Sequence, residues 1–200
     1  MNTIEPIDKL AGLLAKLPGI GRRSGERIAL KLARSNGSLV HDLIAALQEV
    51  DAKVRSCSLC GSITLRSEDP CRFCTDPRRD GKIVCVVEDP ADILLIERAG
   101  SFRGRYHALM GRISPMKGEG VKDLRLEGLL KRIDQEGIEE VILALNTDVE
   151  SDATVAFLQD ALSSRKVRIS RLAFGIPAGS ELAYSDPVTL SRAIQGRQAM

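Results

Sequence analysis

Cys57, Cys60, Cys71 and Cys74 stand in two C-x-x-C pairs with ten residues between them. Each pair turns two thiolates toward one point, and two pairs complete a tetrahedral cage for zinc. With sulfur in all four positions, no coordination site stays open for a substrate or an activated water, so the metal is structural. Binding of this kind contributes on the order of 10–16 kcal/mol to local folding, enough to order a stretch with almost no apolar core of its own. Two disulfides would need an oxidising compartment. A redox C-x-x-C normally occurs once, at the start of a helix. Structural zinc is the expected occupant.

The remaining composition narrows the setting. Two hundred residues suit one medium domain or two small ones. The N-terminus MNTIEPIDKL has no basic stretch leading into an apolar run, so no signal peptide is expected. No apolar run approaches the length of a membrane span. An odd cysteine count without an export signal points to a reducing cytoplasm. Cys85, inside the run IVCVV, reads as a small buried hydrophobe rather than a reactive thiol. Net charge is only +2, with four Phe, two Tyr and no Trp. Any nucleic-acid surface must therefore come from local segregation of charge. It would grip phosphates rather than stack bases on aromatic platforms.

Such segregation is present near the N-terminus. Residues 7–16 carry leucines at helical spacing, and LPGIGRRSGERIALKLARS follows. Pro18, Gly19 and Gly21 mark a tight turn, with a second helix resuming near Arg22. This is a helix-hairpin-helix pattern, in which the glycine turn lets backbone approach a phosphate and the next helix offers free N–H groups. Arg23, Arg27, Lys31 and Arg34 follow at intervals of four, four and three, so they share a face. Ile28, Ala29, Leu32 and Ala33 would pack on the first helix. A solvated charged face is the plainer alternative; the glycine turn just before the arginines favours DNA. Leu30 projects beside the arginine stripe and suggests a protein contact. Residues 39–50 form another amphipathic helix, and its His41 is read as a surface or capping residue.

Beyond Asp80-Gly81, read as a turn, strands and helices alternate. KIVCVVE is a buried strand ending at Glu88, with Asp89 as N-cap and Pro90 as first helical residue. YHALMG and VILALN read as further strands, the latter running into Asp148, Glu150 and Asp152. A helix is expected from about Ser151 to Ser164, and KVRISRLA supplies one more strand. LRLEGLLKRIDQEG reads as another helix, and His107 has no evident triad partner. Alternation of this kind implies an α/β fold with a parallel sheet. Functional groups gather beyond the carboxyl ends of such strands. Glu88 facing Asp148, Glu150 and Asp152 could hold Mg²⁺; the competing and preferred reading is acids that cap a helix.

Taken in order, these segments resemble the bacterial RecR family of recombination mediators over essentially the whole chain. The resemblance is carried by LPGIGRRSGERIA, CSLCGSIT with CRFC, VCVVEDPADILLIE, YHALMGRISPMKGEG, VILALNTDVESDAT and GIPAGSELAYSDPVTLSRAIQGR. It implies a helix-hairpin-helix over 1–53, a four-cysteine zinc finger over 54–76, a Toprim domain over 80–176 and a helical C-terminal assembly segment over 177–200. It further implies a non-enzymatic protein that forms a dimer or tetramer ring, binds DNA and acts with RecO or RecF. Together these help RecA replace single-strand-binding protein; a cytoplasmic, nucleoid-associated location follows. By position, Arg23 and Arg27 match basic DNA-binding residues, and the four cysteines match zinc ligands. Glu88, Asp148, Glu150 and Asp152 match the Toprim acidic face, here a docking surface for partner proteins.

Three positions depart from the family pattern: Ser151 where glycine is common, Phe174 where a basic residue is frequent, and Ala183 where an acid is frequent. Serine can cap the following helix. The alternative function is a Mg²⁺-dependent nuclease or primase-like enzyme. A topoisomerase would need an activated tyrosine and a strand-passing body, and the chain has only Tyr106 and Tyr184. A zinc module whose helix-hairpin-helix serves oligomerisation alone is the third reading.

Overall fold

A computed structural model describes residues 4–35, 37–114 and 120–197; residues 115–119 of the YHALMGRISPMKGEG segment and the ends of the chain lie outside them. The chain divides into two compact units, residues 1–54 and 55–200.

The first unit is helical. α1 spans Glu5–Leu14, α2 Arg22–Arg34 and α3 Ser38–Lys53. α1 and α2 pack closely because Gly25 brings no side chain; a Cβ there would meet the Ala11 carbonyl oxygen at 2.7 Å. Ala29 is fully buried beside it, and Ile28 and Leu32 are half-buried. Ala33, expected against α1, is exposed instead. It lines an apolar hollow of about 580 Å³ with Leu10, Leu14, Leu32, Leu43 and Leu47. α3 buries none of its own residues, and Leu43, Ile44, Leu47 and Val50 stay open to solvent along it.

The second unit opens with the cysteine element. β1 (Val54–Ser56) pairs with β2 (Ile63–Leu65), and a short helix α4 spans Arg72–Thr75. A four-stranded parallel sheet follows, in the order β4-β3-β5-β6. Its strands are β3 (Asp80–Val87), β4 (Gly104–Ala108), β5 (Glu140–Ala144) and β6 (Arg168–Arg171). The helices are α5 (Pro90–Ala99), α6 (Leu126–Glu136), α7 (Val149–Leu162) and, at the C-terminal end, α8 (Pro187–Gln195).

Central strand β3 is buried on both sides, as a parallel strand should be. Val84 and Val86 join Leu129, Ile133, Leu143, Leu158 and Leu162 in one core. Cys85 and Val87 face the other way, into a core with Ile93, Tyr106, Phe73 and the four paired cysteines. The cysteine element thus serves as the covering layer for one face of the sheet. Burial pushes the Cys85 thiol up to about 12, which fits a packing role rather than a reactive one.

Three boundaries differ from the sequence reading. Asp80 and Gly81 belong to β3 rather than to a turn before it, because Asp80 N–H donates to the Arg103 carbonyl at 2.9 Å. β4 begins at Gly104 and stops at Ala108, two residues before Met110 takes a φ of 65°. α7 starts at Val149 with Asp148 as its cap, so the expected start near Ser151 falls inside the helix. Asp89 caps α5 as expected, in a reciprocal box with Asp92.

Candidate functional site

The four paired cysteines converge. Their Sγ atoms all lie within 4.8 Å of one another and all four residues are buried. Individual separations are 3.4 Å for Cys60–Cys71, 3.9 Å for Cys71–Cys74 and 4.0 Å for Cys57–Cys74. Metal–sulfur bonds of about 2.3 Å at tetrahedral angles place sulfurs about 3.8 Å apart, so the cage has the size a zinc-like ion requires. No disulfide forms; all five cysteines are free. The element also supplies outer donors. Ser62 gives its hydroxyl to Cys71 Sγ at 3.1 Å, and the Cys71 N–H points at Cys57 Sγ at 3.3 Å. Bonds from Cys60 and Cys74 hold the Cys71 thiol far below the ordinary range. Bonding to Cys71 pushes Cys60 up to about 12, and bonding to Cys60 and Cys71 pushes Cys74 up. Four thiols this close cannot all ionise unless a central cation takes up the charge.

Neighbouring groups lock the cage to the sheet. Arg125 Nη2 donates to the Ser58 carbonyl at 2.8 Å, and Ala108 N–H donates to the Cys60 carbonyl at 2.7 Å. Asp69 accepts from Ser58 N–H at 2.8 Å and pairs with Arg55 at 3.1 Å.

The basic face lies on α2. Gly19 has a φ of +77°, a conformation in which a side chain is strained, and Gly21 is the N-cap with no side-chain partner. Arg23, Arg27, Lys31 and Arg34 are all exposed, and none makes an ion pair among the described residues. The pair that α2 does hold is Arg22–Glu26, to one side of the stripe. Arg27, Lys31 and Arg34 border a hollow of about 580 Å³ with Leu30, half-exposed among them.

The acids do not form a common cation site. Glu88, only 7 % exposed, accepts from Asn146 N–H at 3.0 Å, Asn146 Nδ2 at 2.8 Å and Ser151 Oγ at 2.5 Å. Asp148 caps α7 through Ser151 N–H at 2.8 Å and takes Arg112 Nη1 at 2.6 Å. Those two partners, Ser151 first, hold its carboxyl below the usual carboxylate range. Glu150 receives Arg112 Nη2 at 2.8 Å and the Ser114 hydroxyl at 2.5 Å. Asp152 faces Arg171 at 2.8 Å and Arg192 at 3.7 Å. Among the described residues, the cysteines are the one group of three or more His, Cys, Asp or Glu able to hold a metal.

Of the groups that engage these acids, sequence reasoning singled out Ser151, as a helix cap rather than a partner of Glu88, and missed Asn146, Arg112 and Arg171. Arg112 lies 36 residues from Asp148 and Arg171 lies 19 from Asp152; no spacing rule links them. Phe174 contacts two guanidiniums, 4.8 Å from Arg171 and 4.7 Å from Arg192. The aromatic thus fastens α8 beside the acidic edge. His41 is exposed, and His107 is fully buried with Nε2 2.9 Å from the Arg125 carbonyl.

Known proteins match along the whole length. A family model described as the RecR helix-hairpin-helix matches residues 7–50, one described as the Toprim domain matches 82–173, and one described as the RecR C-terminal region matches 175–198. A recombination protein RecR of Anaeromyxobacter dehalogenans is 42 % identical over 200 residues, covering all of both chains. Those of Moorella thermoacetica and Thermobifida fusca are each 44 % identical, covering 98 % of both chains in the first case, and 97 % of this chain and 96 % of the relative in the second.

Proposed function

The chain belongs to the RecR family of recombination proteins, and on that footing we propose that it mediates recombinational DNA repair by binding and assembly, without catalysing a reaction. It grips nucleic-acid backbone through Arg23, Arg27, Lys31 and Arg34, with the Gly19–Gly21 turn offering N–H groups at the head of the same helix. The observation that carries this is the uncompensated cationic face: four exposed charges at helical spacing with no carboxylate partner among the described residues. Such a face attracts phosphates whatever the base sequence.

The four thiolates hold zinc, which supplies the charge that keeps the cage closed and the sheet covered. Self-association into a dimer or tetramer ring is supported by the open apolar hollow of the first unit and by the bare apolar side of α3. A ring would bring several weak basic faces onto one DNA, raising avidity by effective concentration. RecO or RecF dock on the surface carrying Asp148, Glu150 and Asp152, with Glu88 buried beneath it, and the assembly helps RecA displace single-strand-binding protein. The Mg²⁺-enzyme alternative has less support, because Arg112 already supplies positive charge between Asp148 and Glu150.

The test is RecA filament growth on single-stranded DNA coated with single-strand-binding protein, with this protein and RecO added singly and together. Acceleration only with both, lost in Arg23→Ala/Arg27→Ala protein that remains folded, is the expected result. Full acceleration by that double variant would remove the basic face from the reading. Mg²⁺-stimulated cleavage of DNA by the purified chain would overturn the non-catalytic proposal.

A further inference from the structure

A cleft of about 610 Å³ opens in the second unit, where the end of the cysteine element meets the loop before β4. Four arginines line it, Arg72, Arg78, Arg79 and Arg103, against two carboxylates, Asp76 and Glu97. Both acids are already engaged. Asp76 takes Arg78 through two bonds of 2.9 Å each, which lowers its carboxyl to about 2. Glu97 accepts Arg79 Nη2 at 2.7 Å and the Tyr106 hydroxyl at 2.5 Å. Two guanidiniums are left over. Arg72 and Arg103 are exposed, and neither forms an ion pair among the described residues.

Arg79, its charge balanced by Glu97, forms part of the cleft wall. Its side chain is 8 % exposed and lies 5.0 Å from the Phe73 ring and 5.6 Å from the Tyr106 ring. Nη1 donates to the Gly104 carbonyl at 3.0 Å, while Nε is buried with no acceptor. Arg72 also lies over the Phe73 ring, 5.0 Å from its centre. Two unpaired, accessible forks beside the rigid Arg79–Glu97 pair form a cradle for a tetrahedral anion, since guanidinium geometry matches phosphate oxygens in pairs.

We infer that this cleft is a second nucleic-acid contact, holding a backbone phosphodiester between Arg72 and Arg103, separate from the basic face of α2. The inference rests on the DNA-binding reading above, and it assigns to the cysteine element a part in gripping DNA as well as in covering the sheet. No covalent step is involved.

The experiment measures binding of a labelled oligonucleotide duplex to the full zinc-loaded chain by fluorescence anisotropy across a salt series. Arg72→Ala/Arg103→Ala is expected to weaken binding about tenfold and to flatten the log–log salt slope by about 1, as loss of the one phosphate held between them requires. Arg72→Lys/Arg103→Lys should recover most of that slope, because charge is retained. Arg23→Ala/Arg27→Ala is measured beside it. Weakening by that variant with no effect of Arg72→Ala/Arg103→Ala overturns the cleft and leaves the functional reading intact. Weakening by the cleft variant alone upholds the cleft and removes the α2 face. Pyrophosphate binding measured by calorimetry separates free anions from DNA: pyrophosphate lost in Arg72→Ala/Arg103→Ala with duplex affinity unchanged overturns the assignment to nucleic acid. Circular dichroism and zinc content, expected unchanged, exclude loss of fold as the cause.

Discussion

Ser151 gives its hydroxyl to the carboxylate of Glu88 at 2.5 Å, across 63 residues of sequence. Ser151 is therefore a bonded member of the acidic edge. It joins the end of β3 to the first turn of α7, and its own N–H donates to the capping carboxylate of Asp148. With Asn146 it satisfies a carboxylate that is almost fully buried.

Ser151→Ala should therefore cost about 1.5–3 kcal/mol, the range for a hydrogen bond to a charged group. In urea unfolding, the midpoint is expected to fall with the slope unchanged. A midpoint identical to that of the parent chain would show that Asn146 alone suffices for Glu88.

Arg112 bridges Asp148 and Glu150 at 2.6 and 2.8 Å. Removing it leaves these acids and Glu88 on one edge with less compensating charge. Arg112→Ala is expected to gain weak Mg²⁺ affinity by calorimetry where the parent chain shows little. Equal affinity in the two proteins would mean that the guanidinium does not compete with a cation there.

Metal removal should act on both the cage and the sheet, since the cysteines share a core with Cys85, Val87 and Tyr106. The loaded protein is expected to contain one zinc per chain and to react slowly with a thiol reagent, because all five cysteines are buried. A chelator should raise the reactive count toward five as local folding worth on the order of 10 kcal/mol is withdrawn. Rapid reaction of Cys85 in fully loaded protein would contradict this packing.

His107 carries the pH dependence that can be isolated most cleanly. Burial lowers it from an ordinary 6.5 to about 4, with Arg132 and Arg125 adding to the effect and the Arg125 carbonyl and Glu136 opposing it. The unfolded chain takes up this proton first, so the stabilisation is complete above pH 6.5 and is lost as pH falls toward 4. The full loss is about 3 kcal/mol. Unfolding free energies followed from neutral to mildly acid pH should fall less steeply in His107→Gln than in the parent chain. Comparing the two cancels any contribution of metal loss common to both; parallel curves would assign the acid sensitivity to other groups.

Much of this architecture is legible in local sequence because local physics produces it. C-x-x-C spacing turns two sulfurs inward regardless of surroundings, and the structure brings all four together. Asp89-Pro90 starts a helix through its own backbone requirements. The apolar run through Cys85 admits burial on both faces, and the spacing of Arg23, Arg27, Lys31 and Arg34 follows from helical periodicity alone. Other features needed partners distant in the chain. Asp80 is a strand residue because Arg103 accepts its N–H, and no turn signal encodes that pairing. By type, the acids at 88, 148, 150 and 152 admit a cation site as well as the preferred reading of helix-capping groups. Only the fold places Asn146, Ser151, Arg112 and Arg171 against them. Arg72 and Arg103 likewise become one cleft through the packing of the cysteine element on β4. Sequence determined which groups carry charge and which segments bury themselves. Tertiary structure decided which charges are compensated, because that depends on distances of a few ångströms between residues tens of positions apart.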